Sequence, residues 1–146
     1  MDALFYSYHY SRFLLRRRSI IFGLILLVVP LGLLSKAYTG IGQVWVNDYS
    51  GDILYEILWC LVFGWFYRSK RATVTIPVWV FVVTSLIEIS QLWFDRVPVS
   101  LRETIIWKLL LGSSFVWWDF PHYAFGCVIG WGLLHWLHGL SLGESK

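Results

Sequence analysis

Charged residues are scarce. They make up 14% of the 146 positions, where a soluble domain of ordinary composition carries about 25%. That shortage excludes a disordered chain, a nucleic-acid-binding module and a typical soluble enzyme. Cysteine is nearly absent as well. Cys60 and Cys127 both fall inside apolar runs, so no disulfide framework is implied. Neither has metal-ligand spacing or a helpful neighbour, and both read as small core residues. Repeats, low-complexity tracts and flexible linkers are missing. So are an activated-nucleophile motif, a phosphate-cradling loop and a His-Glu-x-x-His metal signature. No cofactor and no metal site is expected.

What fills the chain instead is apolar. Hydrophobic residues reach 58%, aromatic residues 19%, and the mean hydropathy is +0.63. These values predict an all-α membrane protein of one domain, with four transmembrane helices over about 19–37, 52–67, 75–94 and 119–138. The first run is a little short for a bilayer core of about 20 residues unless it extends to Ala37 with Lys36 snorkelling to the interface. A cleavable signal peptide ending at Ser35-Lys36-Ala37 is the rival reading of this run, disfavoured by the lysine at the cleavage position. Ser50 is the expected N-cap of the second helix, with Asp52 in its first turn. Pro77 is placed in the first turn of the third helix, and Asp119 and Pro121 open the fourth.

Between the last two runs, residues 100–111 have apolar side chains at Leu101, Ile105 and Leu109 with charges between them. This pattern predicts a short helix lying in the membrane interface, with Trp107, Trp117 and Trp118 at headgroup level.

Orientation follows from the basic residues. If the N-terminus is cytoplasmic, Arg12, Arg16, Arg17, Arg18, Arg68, Lys70, Arg71 and Lys146 are inside, and Lys36, Arg96, Arg102 and Lys108 are outside. The excess inside places both termini, residues 1–18 and 139–146, in the cytoplasm.

Against this background a few polar residues are out of place. Ionisable groups within spans are costly and usually face a bundle interior. Glu56 lies about one turn into the second span. Glu88 lies roughly 9 Å before the end of the third at about 1.5 Å per residue. Antiparallel threading brings Asp52, Glu56, Glu88, Gln91, Asp119, His122 and Tyr123 to one depth in the outer half. Helical spacing groups them into stripes: Asp52, Glu56, Cys60 and Gly64; Thr84, Glu88, Gln91 and Asp95; Asp119, Tyr123, Gly126 and Gly130. Gly126 and Gly130 form a small-xxx-small pair suited to close helix packing or self-association. Structural readings stand beside the functional ones. Asp52 and Asp119 can serve as charges at helix N-termini, Gln91 as interhelical hydrogen-bond glue, and His122 as an interfacial side chain.

The combination Gly51-Asp52-x-x-x-Glu56, Glu88-x-x-Gln91 and Gly112-x-x-Phe115-x-Trp117-x-Asp119-x-x-x-Tyr123-x-x-Gly126-x-x-x-Gly130 resembles the family called domain of unknown function 2809. That family groups small four-span bacterial membrane proteins, so the resemblance implies a bacterial plasma membrane. More distantly, the pattern is similar to VanZ-like proteins through Glu88/Gln91, Arg96 or Arg102, and Asp119/Gly126. Those proteins tend to carry His where this chain has Glu56, and Asn where it has Tyr123.

The expected function is a non-catalytic binding or accessory protein whose carboxylate-lined pocket takes an envelope lipid or lipid-linked molecule. The alternatives are a small structural subunit of a membrane complex, a lipid-headgroup enzyme using Glu56 or Glu88 as acid/base with His122 assisting, and proton or ion movement. Membrane lipids are the expected partners, with a membrane protein or a second copy next; nucleic acid is not.

Overall fold

A computed structural model describes residues 2–92, 104 and 115–143, with side chains for 15–92, 104 and 115–140. Every regular element among the described residues is helical. Helix α1 spans Asp2–Ser35, and the short α2 spans Gln43–Trp45. A π-helical turn, Val46–Ser50, then leads without a break into α3, Gly51–Phe66. Helices α4 (Ala72–Ser90) and α5 (Asp119–Gly143) complete the bundle. Residues 93–103, with Asp95 and Arg96, and 105–114, with Trp107 and Lys108, are outside the described set, and the expected interfacial helix over 100–111 lies there.

The α3 boundaries match expectation within a residue, but the way it begins does not. Ser50 has helical dihedrals and makes no cap bond. Its hydroxyl instead donates back to the Val46 carbonyl. A cap needs a residue outside the helix, and here the chain is already helical from Gln43. The helical run starts behind Gly42, whose φ of 74° is left-handed, a conformation open to glycine at little cost.

Helix α4 begins earlier than expected. The Ser69 hydroxyl accepts a hydrogen bond from the Ala72 amide at 3.1 Å and so supplies the side-chain cap. Pro77 therefore lies inside the helix rather than in its first turn. Helix α1 also runs much further toward the N-terminus than its apolar core, through the four arginines, because arginine is a good helix former and charge does not interrupt the backbone ladder. Helix α5 starts at Asp119 as expected and continues past His138 to Gly143.

Helix α3 is central. It packs against α1, α4 and α5; α4 also packs on α5, and α1 touches α5 only marginally. The shared core is Ile21 and Val28 of α1, Ile57, Cys60 and Leu61 of α3, Ile76 and Val80 of α4, and Cys127, Leu134 and Leu137 of α5. The outside is apolar too: Leu26, Leu27, Leu33, Leu34, Phe66, Trp79, Phe125 and Trp136 are exposed. Among the described residues two helical stretches, Leu15–Ser35 and Ala72–Ser90, are long and apolar enough to cross a membrane.

Candidate functional site

The α3–α5 contact sets the geometry of the polar residues. A Cβ added to Gly126 would stand 2.7 Å from Glu56 Cβ and 2.7 Å from the Ile53 carbonyl oxygen; one added to Gly130 would stand 2.7 Å from Cys60 Sγ. One helical turn further, Gly64 of α3 takes the Leu134 side chain of α5 in the same way. The two stripes therefore run against each other in register, four residues per step, with a glycine on one helix or the other at each of these three contacts. Only residues without a side chain permit so close an approach. The Gly126/Gly130 pair is thus occupied by α3 of the same chain.

Close approach brings Glu56 to the middle of three helices. It is 0% exposed. Its Oε2 accepts a hydrogen bond from the Cys127 thiol of α5 at 3.0 Å. Thr84 of α4 stands beside the same carboxylate, with its hydroxyl turned to the Val80 carbonyl at 2.9 Å. Glu56 Oε1 has no hydrogen-bond partner among the described residues. A buried acceptor left unmatched costs about 1–3 kcal/mol. Cys127 corrects the sequence reading in part: it is a core residue, and it also has a carboxylate for a neighbour. Both cysteines are free thiols.

Glu88 is different. It is 2% exposed, yet both of its oxygens are engaged. Oε1 accepts from the Val116 amide at 2.8 Å. Oε2 accepts from the Gln91 side chain at 2.7 Å and from the Tyr123 hydroxyl at 3.1 Å. One carboxylate thereby ties α4 to α5 and to the segment that leads into α5. Gln91, read from the sequence as interhelical glue, here donates to Glu88, three residues earlier in the same stretch of chain, and so braces the carboxylate that joins the helices.

At the open end of the cluster lie Asp52 and Asp119, both half-buried. Each is within electrostatic reach of the other and of Lys36, and Glu88 bears on both. Lys36 does not extend away from the bundle. Its Nζ donates to the Asn47 carbonyl at 2.6 Å, and its chain lies across Gly51, where an added Cβ would meet Lys36 Cε at 3.2 Å. His122 stacks on Tyr49 with ring centroids 4.3 Å apart and planes 10° apart, and Trp45 meets its edge at 6.0 Å. His122 Nδ1 is 2.6 Å from the Trp118 carbonyl oxygen. A carbonyl can only accept, so Nδ1 carries the proton.

All seven residues singled out from the sequence gather at this end of the bundle: Asp52 and Glu56 from α3, Glu88 from α4 with Gln91 just beyond it, and Asp119, His122 and Tyr123 from α5. Sequence reasoning missed Lys36, Cys127, Tyr49 and Trp45. Cys127 had a signal, since it lies four residues beyond Tyr123. Tyr49 and Trp45 had none, because the stretch before Asp52 did not read as helical. Among the described residues no group of three or more His, Cys, Asp or Glu side chains is disposed to hold a metal ion.

Residues 41–127, more than half of the chain, match the family model described as protein of unknown function DUF2809. The chain belongs to this family. The matched stretch contains all seven polar positions and the contact of Glu56 with Cys127. No solved structure matches the chain.

Proposed function

We propose that this DUF2809 protein is embedded in a membrane through four helices, α1, the run from α2 through α3, α4 and α5, and that it binds an amphipathic envelope molecule without transforming it. The polar end of the bundle would face the outer half of a bacterial plasma membrane, with both termini cytoplasmic. Dimensions support the embedding. Helix α5, with 25 residues, is about 37 Å long at about 1.5 Å per residue, against a hydrocarbon core of about 30 Å. The inverted distribution supports it as well: leucine, phenylalanine and tryptophan cover the outside while carboxylates occupy the centre.

The observation that carries the binding reading is Glu56, fully enclosed by three helices with one oxygen unmatched. A donor on a headgroup that parts α3, α4 and α5 to enter beside it would satisfy it. Binding fits better than headgroup catalysis, because Glu88 already accepts three hydrogen bonds and has little capacity left for a proton in transit. The test is a thermal-shift screen of purified protein in nanodiscs against phosphatidylethanolamine, phosphatidylglycerol, cardiolipin and a polyprenyl phosphate. A stabilising lipid whose effect is lost in Glu56→Gln is the expected result. No stabilisation by any of them, or the same stabilisation in the variant, overturns the reading.

A further inference from the structure

A second charged centre lies at the opposite end of the bundle. Arg17 of α1 is 7% exposed. Its Nη2 donates to the Gly64 carbonyl at 2.8 Å and to the Tyr67 carbonyl at 3.5 Å, so it caps the C-terminus of α3 from a neighbouring helix. Those two carbonyls bring only the partial negative charge of a helix end. Arg17 Nη1 is buried without a hydrogen-bond partner among the described residues. The charged groups that bear on it, Arg68 and Arg18, are both positive. Arg68 is partly exposed and Arg18 exposed, with the Arg18 guanidinium 5.8 Å from the centre of the Trp65 ring.

A buried cation with two cationic neighbours is unfavourable unless an anion joins them. Arginine forks match phosphate oxygens. Trp65 and the exposed Phe66 and Tyr67 put an apolar and aromatic surface beside the charges, where acyl chains and a headgroup would meet. We infer that Arg17, Arg18 and Arg68 form a binding site for the phosphate of a net-anionic lipid in the leaflet at the basic end of the bundle. The phosphate bridges the two accessible guanidinium groups and offsets the enclosed charge of Arg17. This site rests on the membrane placement proposed above but not on the Glu56 cluster, which lies at the other end.

The experiment uses the full chain in nanodiscs, where recovery with the lipid fraction first checks the embedding. Retained phosphatidylglycerol is then compared with phosphatidylcholine by native mass spectrometry, for the wild type and for Arg68→Gln, Arg17→Lys and Lys70→Gln. The wild type should favour phosphatidylglycerol. Arg68→Gln should lower that preference about fivefold, the weight of one basic residue at an anionic surface. Arg17→Lys keeps the charge but not the fork, and should also lower it. Lys70→Gln, close in sequence but outside the cluster, should lower it clearly less than Arg68→Gln does. Equal retention of the two lipids by the wild type, or an equal loss in Arg68→Gln and Lys70→Gln, overturns the site. A matching arm adds inorganic phosphate to protein in phosphatidylcholine alone at constant ionic strength. No change in melting is expected, and stabilisation there would assign the site to a soluble anion instead of a lipid.

Discussion

The Tyr123 hydroxyl donates to Glu88 Oε2 at 3.1 Å across 35 residues of sequence, and the Val116 amide reaches the other oxygen of the same carboxylate at 2.8 Å. Glu88 is therefore a joint between two helices rather than a free acid. Tyr123→Phe removes one donor and should destabilise by about 0.5–1.5 kcal/mol. Glu88→Ala leaves all three donors, the Val116 amide, the Gln91 side chain and the Tyr123 hydroxyl, without an acceptor and should cost more, with Glu88→Gln between the two. Unfolding in detergent micelles with increasing denaturant would measure this order. Additive losses in the Tyr123→Phe/Glu88→Ala double variant would contradict a shared bond, because contacting residues couple.

Gly126 and Gly132 sit on the same helix and should respond oppositely to alanine. A methyl group at Gly126 meets the Ile53 carbonyl oxygen and Glu56 Cβ, whereas one at Gly132 meets nothing within 4 Å. Gly126→Ala should push α3 from α5 and destabilise. Gly132→Ala should be neutral or gain up to about 1 kcal/mol from helix propensity. Melting temperatures of the two variants in one detergent decide it; equal shifts would refute the register.

Among the described residues the Cys127 thiol donates to Glu56 at 3.0 Å, with Thr84 beside the same carboxylate. Cys127→Ser keeps a donor there and should be tolerated. Cys127→Val leaves the carboxylate more poorly matched and should lose about 1–3 kcal/mol. Both thiols are buried, so a maleimide should label neither in the folded protein and both after unfolding in detergent. Rapid labelling of the native protein would contradict the packing.

Arg17→Ala should loosen α1 from the rest of the bundle, since it deletes the bond to the Gly64 carbonyl; hydrogen bonds to charged groups contribute about 1.5–3 kcal/mol. Faster hydrogen exchange confined to α1 and to the last turn of α3 is expected. Unchanged exchange at Gly64 and Tyr67 would show that the cap contributes little.

Much of this arrangement is legible in the sequence. Asp119 marks a helix start because acid and proline favour a first turn, and the four-residue spacing of Asp52, Glu56, Cys60 and Gly64 gives the face that meets α5. What escaped has physical causes. Ser50 has a capping side chain, but the preceding residues already form a π-helical turn, and composition does not distinguish a helix start from a helix irregularity. Ser69 caps α4 across a short connection, where Lys70 and Arg71 made the turn look merely charged. Lys36 was expected at the interface, since its sequence neighbours are apolar; the Asn47 carbonyl that holds it comes from a separate turn of chain. The pairing of Cys127 with Glu56 joins residues 71 positions apart, and periodicity carries no information about which helix lies opposite.

The bond from Arg17 to Gly64 also bears on how the molecule is made. During synthesis α1 leaves the ribosome well before α3, and only 11% of its apolar stretch is buried in the finished bundle. For that interval its guanidinium has no carbonyl to hold. The helix must first be steadied by its surroundings and is locked in place once residue 64 has arrived. Assembly thus has a built-in order, in which the earliest helix is secured only when the end of α3 has been made.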